Sequence, residues 1–223
     1  MTTAILIPAR YASTRYPGKM LEELNGVPLI EHVYNKCIAT GLDTYVLTDH
    51  QDIFNRLGAS KCLMTKDAEN GTERCMQVID EVFEYDRYIN VQGDMPDITE
   101  EIIRAVEGEL KRSDVSTAYT PMDFNLRSDP NSVKMIHSRG RAHWFLRASL
   151  TYGDHHLGVY GYNREAKAMY SASRKYLEED IEKLEQLRWI QNGVKVGVVE
   201  VEFNGIEINT PEDLTDWHRK NER

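Results

Sequence analysis

Cysteine is scarce in this chain: Cys37, Cys62 and Cys75 are its only three among 223 residues. Their number is odd and they show no CxxC or metal-type spacing, which excludes a disulfide framework and a zinc centre. They are expected as buried or semi-buried thiols in a reducing cytosol. No run approaches the ~20 consecutive apolar residues of a membrane span, and no charged n-region leads into a long apolar stretch, so the expected compartment is the cytoplasm. An excess of positive charge is also missing. A formal net charge of -9 disfavours nucleic acid or a membrane surface as a partner, because both are anionic and would be repelled at long range. There is no Walker A sequence, no GxGxxG fingerprint, no Ser-His-Asp or cysteine nucleophile constellation, no internal repeat and no low-complexity linker.

What remains is a globular composition, 41% apolar and 28% charged, long enough to bury a substantial core. Short β-rich runs, "AILIP", "TYVLTD", "KCLMT" and "YINVQGD", alternate with helical patterns. In "PLIEHVYNKCIATG", Pro28 suits a first turn, Leu29, Ile30, Val33, Tyr34, Cys37 and Ile38 share a face, and Gly41 can stop the helix. A second helix is expected from about Thr72 to Glu84, with Met76, Val78, Ile79, Val82 and Phe83 apolar, and a third from Thr99 as N-cap. Further strands are expected at "VSTAYTP", "VKMIHS", "RAHWFL", "HLGVYGY" and "VKVGVVEVE". "EEDIEKLEQLRWIQNG" reads as one helix with Ile181, Leu184, Leu187 and Trp189 or Ile190 towards one side, and "NTPEDLTDWHRKNER" opens a last helix capped by Thr210. The pattern is α/β: a mixed, mostly parallel central sheet with helices on both faces, in a single domain over 1–223.

In such sheets ligands gather outside the carboxyl ends of the strands, which singles out the loop from Arg10 to Lys19, Asp49, the Asn70 to Arg74 turn and Gln92 to Asp94. In the first loop Arg10, Arg15 and Lys19 stand among Ala12, Ser13 and Gly18, small residues that let backbone amides approach a ligand. Arginine forks and a lysine point charge suit a polyphosphate; a solvated basic loop is the alternative. Asp94 follows a strand and a glycine, where it would serve either as a carboxylate for Mg2+ alongside substrate phosphates or as an Asx-turn acid. Arg74, in the first turn after "NGT", has no evident packing role, which leaves a base or sugar contact open beside a plain surface arginine.

The blocks "IPARYASTRYPGK", "TDH", "NGTER", "NVQGDMP", "HLGVYGY", "LEQLR" and "NTPEDL" occur in this order over nearly the whole chain. In them the sequence resembles the 3-deoxy-manno-octulosonate cytidylyltransferase (CMP-Kdo synthetase) family of sugar nucleotidyltransferases. The resemblance implies a Rossmann-like nucleotidyltransferase fold, Mg2+ as cofactor, CTP and the acidic sugar Kdo as substrates, a homodimer, and a product used for lipopolysaccharide or capsule. It implies that residues 1–112 are mainly nucleotide-binding and 113–223 mainly concerned with sugar and dimerisation. By matching position, Ala9, Arg10, Ser13, Arg15 and Lys19 would hold the triphosphate end of CTP. Gly71, Thr72, Arg74 and Gln92 would recognise the nucleotide, and Asp94 would hold Mg2+. Arg10, Arg15, Lys19 and Asp94 are the implied catalytic residues. Arg147, His156, Tyr160, Glu185 and Gln186 would face the sugar.

The chain departs from that family pattern at three places. Met95 stands where the family has Glu, and Asn209 where it has a second metal-binding Asp, which makes Asn209 and the nearby Glu207 the remaining candidates to assist Asp94. The segment from Arg147 to His156 is shortened, which keeps a related acidic sugar in play as acceptor, either an 8-amino variant of Kdo or a nonulosonic acid as in CMP-sialic acid synthetases. A reading of a different class is a non-catalytic nucleotide- or sugar-binding relative.

Overall fold

The computed structural model describes residues 1–13, 15–79 and 85–221. In chain order the elements are β1 (Thr3–Pro8), β2 (Glu23–Leu24), β3 (Val27–Pro28), α1 (Leu29–Ile38), β4 (Asp43–Thr48), α2 (Gln51–Leu57), β5 (Cys62–Met64), α3 (Gly71–Val78) and β6 (Arg87–Asn90). They continue as α4 (Glu100–Glu109), β7 (Val115–Thr120), β8 (Lys134–Ser138), β9 (Arg141–Leu146), β10 (Asp154–Asn163), α5 (Ala166–Ala172), α6 (Leu177–Glu182), α7 (Leu187–Gln191), β11 (Val196–Glu200) and α8 (Pro211–Asn221). They fall into two compact units, one comprising 2–84, 90–100 and 204–223, the other residue 1, 85–89 and 101–203.

In the first of these units β1 is buried along its whole length and pairs in parallel with β4, which pairs in parallel with β5. A strand buried on both faces must be apolar throughout, as "AILIP" is. Helix α1 packs on β4 and α3 on β1. The face predicted for α1 is the buried one, Leu29, Ile30, Val33, Tyr34 and Cys37, while Ile38 turns outward and is 43% exposed. Pro28 stands at the N-cap rather than inside the first turn. Asn25 and Gly26, both at positive φ, make the two-residue turn between β2 and β3, the Asn-Gly geometry whose twist matches the flanking strands. The sequence reading overlooked this hairpin and also α2. The helix expected from Thr72 begins one residue earlier, because the Asn70 side chain accepts the Glu73 N–H at 2.8 Å and so is the N-cap. It is described to Ile79, its C-cap. Positions 80–84, including Val82 and Phe83, lie outside the described residues.

The other unit holds strands in the order β6-β10-β7-β11-β9-β8. Here β7 and β11 are parallel, whereas β10 runs antiparallel to β7, and β8, β9 and β11 are antiparallel neighbours. The antiparallel part follows from a short connection, since Arg139 and Gly140 at positive φ turn β8 directly into β9. The single helix expected over 178–193 is two helices, α6 and α7, separated at Lys183, which adopts a left-handed φ of 55° and caps α6. Ile181 is 68% exposed, while Leu184, Leu187 and Trp189 are buried. The apolar spacing fits one continuous helix only if Ile181 belongs to the core.

His156 lies in the interior of this unit. Its Nε2 is 2.9 Å from Thr117 Oγ1, Phe145 packs edge-on with ring centroids 4.8 Å apart, and burial is the main reason its pKa falls to about 3. The adjacent His155 is also lowered, mainly by burial. A histidine kept neutral in the folded chain takes up a proton near its ordinary 6.5 only on unfolding. Its contribution to stability is therefore complete above pH ~6.5 and is lost as pH falls from there towards 3, at up to ~1.4 kcal/mol per pH unit. Thermal melts of the native protein between pH 7 and 4 are expected to show this decline, and His156→Gln is expected to flatten it.

Candidate active site

The first unit gathers the cationic loop and the strand-end acids. After β1, Ala9 N–H donates to Leu47 O at 2.8 Å, so the chain leaves the sheet alongside β4. Tyr11 O accepts the amides of Ser13 and Gly18 at 2.9 and 3.0 Å and closes the loop. Gly18, at φ 76°, then delivers Lys19 into a 3-10 turn over Lys19–Leu21. Arg10 and Arg15 are exposed, whereas Ser13 and Lys19 are buried.

Lys19 points at the predicted acid. Its Nζ lies 2.6 Å from Asp94 Oδ2 and donates to Ile208 O at 2.9 Å. The segment before α8 is held by backbone as well, since Ile208 N–H donates to Asp94 O at 2.9 Å. Arg15 Nη2 donates to Asn209 Oδ1 at 2.8 Å. The structure thus brings Arg15, Lys19, Asp94, Glu207 and Asn209 together. Thr210 caps α8 as expected, and the Asp213 carboxylate accepts the amides of both Asn209 and Thr210 at 2.8 Å.

Glu207 carries the clearest electrostatic signature. Burial, and after it the nearby Asp94 charge, push its carboxyl up to about 7, against opposing contributions from Lys19 and a hydrogen bond with Asn209. Its Oε1 is inaccessible to solvent and has no hydrogen-bond partner. Two carboxylates near each other, one with an orphaned buried oxygen, together with an amide oxygen, form a hard-oxygen donor set of the kind Mg2+ takes. Among the described residues no group of three or more His, Cys, Asp and Glu is disposed to bind a metal, so a metal here needs the Asn209 amide or oxygens from its ligand. Met95 is fully buried and belongs to the core, where an acidic side chain would carry the desolvation cost of a buried charge.

The Asn70–Arg74 turn and Gln92 flank the same strand ends. Gly71 lies against Gln92, and a Cβ on it would stand 3.0 Å from Gln92 Oε1 and 3.1 Å from the Pro8 ring, so any larger residue would displace the amide. Gln92 Nε2 donates to Asn90 Oδ1 at 3.1 Å. Thr72 is buried at the start of α3. Arg74, for which sequence offered no packing role, has one: its side chain is 2% exposed and Nη2 is 2.6 Å from Asp49 Oδ2. Nη1 donates to Thr65 Oγ1 and to Lys66 O. A buried guanidinium has to satisfy its donors inside the protein, and Arg74 does so by joining β4, the end of β5 and α3. Asp49 was singled out only by its place after a strand; nothing in the sequence pairs it with Arg74.

The other unit holds the residues matched to the sugar side. Tyr160 lies 5.3 Å from His156 between ring centroids and stacks on Tyr162 at 6.2 Å. Glu185 and Gln186 form the turn into α7, not the body of a helix, because α6 has already ended. Gln186 is 2% exposed and its Oε1 has no hydrogen-bond partner. Glu185 is half-buried. The neighbouring Arg188 is locked to Glu179 through two bonds of 2.9 and 2.5 Å and lies over the Tyr170 ring, which fixes the turn. Arg147 is gripped by main chain, its Nε donating to Glu182 O and its Nη1 to Pro130 O and Asn131 O. The fully buried Lys134 donates to the carbonyls of Asp129, Ser132 and Arg147 itself. Sequence did not point to Lys134, since nothing in the pattern of β8 distinguishes it from a solvated lysine.

Comparison with known proteins places this geometry in a family. The chain is 35% identical to the 3-deoxy-manno-octulosonate cytidylyltransferase 2 of Hydrogenovibrio crunogenus, over 96% of each sequence. It is 37% identical to the 8-amino-3,8-dideoxy-manno-octulosonate cytidylyltransferase of Shewanella halifaxensis, again over 96% of each. A solved structure of CMP:2-keto-3-deoxy-manno-octonic acid synthetase complexed with CTP superposes with a TM-score of 0.90 at 31% identity, covering 99% of this chain and 98% of the other. The fold is accordingly the Rossmann-like α/β fold of nucleotidyltransferases. Residues 4–201 match the cytidylyltransferase family over most of the chain's length, and the chain belongs to that family.

Proposed function

We propose that this protein is a CTP-dependent sugar cytidylyltransferase that transfers CMP to the anomeric hydroxyl of 3-deoxy-D-manno-octulosonic acid (Kdo), releasing pyrophosphate. The observation that carries the reading is the set Arg15, Lys19, Asp94, Glu207 and Asn209, cations for a triphosphate beside oxygen donors for a metal, in a chain of this family. Ala9, Arg10, Ser13, Arg15 and Lys19 hold the phosphates, and Gly71, Thr72, Arg74 and Gln92 take the nucleoside end. In this reading Arg74 acts through the turn it braces, since its guanidinium is engaged by Asp49 and Thr65. His156, Tyr160, Glu185, Gln186 and Arg147 serve the acidic sugar, and the orphaned Gln186 Oε1 supports a contact to a sugar hydroxyl. The whole of 1–223 works as one nucleotidyltransferase domain, with nucleotide-binding residues mainly in 1–112 and sugar and dimer contacts mainly in 113–223.

Asp94, Glu207 and Asn209 would hold Mg2+, which when bound neutralises phosphate charge and lowers the pKa of a hydroxyl near it. The chain's own contribution is positioning and charge: Arg10, Arg15 and Lys19 stabilise the negative charge that develops on departing pyrophosphate. The displacement is direct, without a covalent enzyme intermediate. The product would supply lipopolysaccharide or capsule, and the protein would act in the cytoplasm as a homodimer. No helix among the described residues is long and apolar enough to cross a membrane. An 8-amino acceptor is the second reading, favoured by the 37% identity to an enzyme named for it.

Pyrophosphate release with CTP, Mg2+ and Kdo, each omitted in turn, tests the function. A panel of acidic sugars in the same assay ranks the acceptors, and silence with all of them would favour a binding protein. Lys19→Ala and Asp94→Asn are expected to lower turnover by ~100-fold or more, with circular dichroism confirming that each variant is folded; rates near the native value would remove these roles. Asn209→Asp adds a charge to the metal donors and is expected to shift the Mg2+ activation curve to lower concentration. An unmoved curve would take Asn209 out of the metal site.

A further inference from the structure

The loop that carries Arg10, Arg15 and Lys19 is shaped around a residue with no ligand role in the reading above. Tyr11 O accepts both the Ser13 and the Gly18 amide, and the Tyr11 ring lies 3.5 Å from where a Cβ on Gly18 would stand. The ring's stacking partner is His50, with centroids 3.9 Å apart and planes 10° from parallel. His50 is itself held at two atoms: its amide donates to Thr48 Oγ1 at 3.2 Å, and its Nδ1 accepts the Asp52 N–H at 3.3 Å. A tyrosine inside the loop is thus stacked on a histidine fixed at the end of β4, with Gly18, the residue before Lys19, packed against the same ring.

This arrangement has a physical use. Arg10, Arg15 and Lys19 repel one another, and a loop of small residues that must order itself around an anion loses affinity by that ordering. A stacked aromatic pair spends little rotamer entropy and favours an offset or parallel geometry. At 36% exposure Tyr11 contributes little to a hydrophobic core, so its stack has its main effect on the loop. We propose that Tyr11 and His50 are positioning residues for the nucleotide: their stack holds the Arg10 to Lys19 loop in the shape that receives a nucleoside triphosphate. The inference rests on the reading of that loop as a triphosphate cradle.

The test is calorimetric binding of CTP to the full-length protein without acceptor sugar, so that no turnover intervenes. Tyr11→Ala is expected to weaken CTP binding by about 3- to 10-fold, the range of one aromatic pair, and Tyr11→Phe to stay within about 2-fold of native. Two changes at position 50 separate the ring from the helix cap. His50→Phe keeps a ring and loses the cap, and should bind CTP nearly as the native protein does. His50→Asn keeps a cap and loses the ring, and should bind as weakly as Tyr11→Ala. In turnover assays the KM for CTP should rise in the ring-less variants while the KM for the acidic sugar stays put. Ring-less variants that melt earlier yet bind CTP normally would overturn the inference, as would His50→Phe binding as weakly as His50→Asn. If the native protein itself fails to bind CTP, the function reading falls first and takes this inference with it.

Discussion

A single ammonium group organises the candidate nucleotide site. Lys19 Nζ sits between the Asp94 carboxylate and the Ile208 carbonyl, partners 75 and 189 positions away along the chain. With side-chain exposures of 6% and 21%, the Lys19–Asp94 pair is poorly hydrated, and a buried charge that loses its partner is strongly destabilising. Each of the three segments therefore requires the other two: the loop after β1, the turn at Asp94 and the run before α8. The Arg15–Asn209 bond and the Ile208–Asp94 backbone bond reinforce the same junction. Glu207, beside it, has a raised pKa, first because it is buried and then because of the nearby Asp94 charge.

The net charge of -9 sets a constraint on any anionic ligand, which has to be met locally. The chain answers with cations concentrated on one loop and with acids kept few. With Met95 buried and an amide at Asn209, the carboxylates near the junction are Asp94, Glu207 and Asp213, the last accepting the amides of Asn209 and Thr210. That balance places less negative charge beside Arg15 and Lys19 than acids at positions 95 and 209 would.

Apart from the β2–β3 hairpin, the strands were legible in the sequence because apolar, β-branched runs between turn residues have few other uses, and every run quoted at the outset overlaps an observed strand. Helix α1 and the cap of α8 were legible for equally local reasons. Legibility failed where a residue's role depends on what tertiary packing brings to it. Arg74 looks solvated until β4 supplies Asp49, and Lys134 becomes a buried clamp only when the carbonyls of Asp129, Ser132 and Arg147 converge on it. The division between α6 and α7 was hidden because the apolar spacing continues across Lys183, while a left-handed residue and the Glu179–Arg188 pair decide the geometry. The loop's cations and Asp94 could be named individually from sequence; the ion pair that unites them could not, because no spacing rule relates residue 19 to residue 94.

The buried cysteines have a practical side. Cys37, Cys62 and Cys75 lie at 0%, 1% and 0% exposure, and burial raises the pKa of Cys37 and pushes Cys62 up to about 12. Since the thiolate is the reactive form, alkylating reagents at neutral pH find little to attack in the folded chain. A cysteine introduced on the surface would then be modified almost alone, so a fluorophore or spin label can be placed at a chosen position without first stripping the native thiols from the protein.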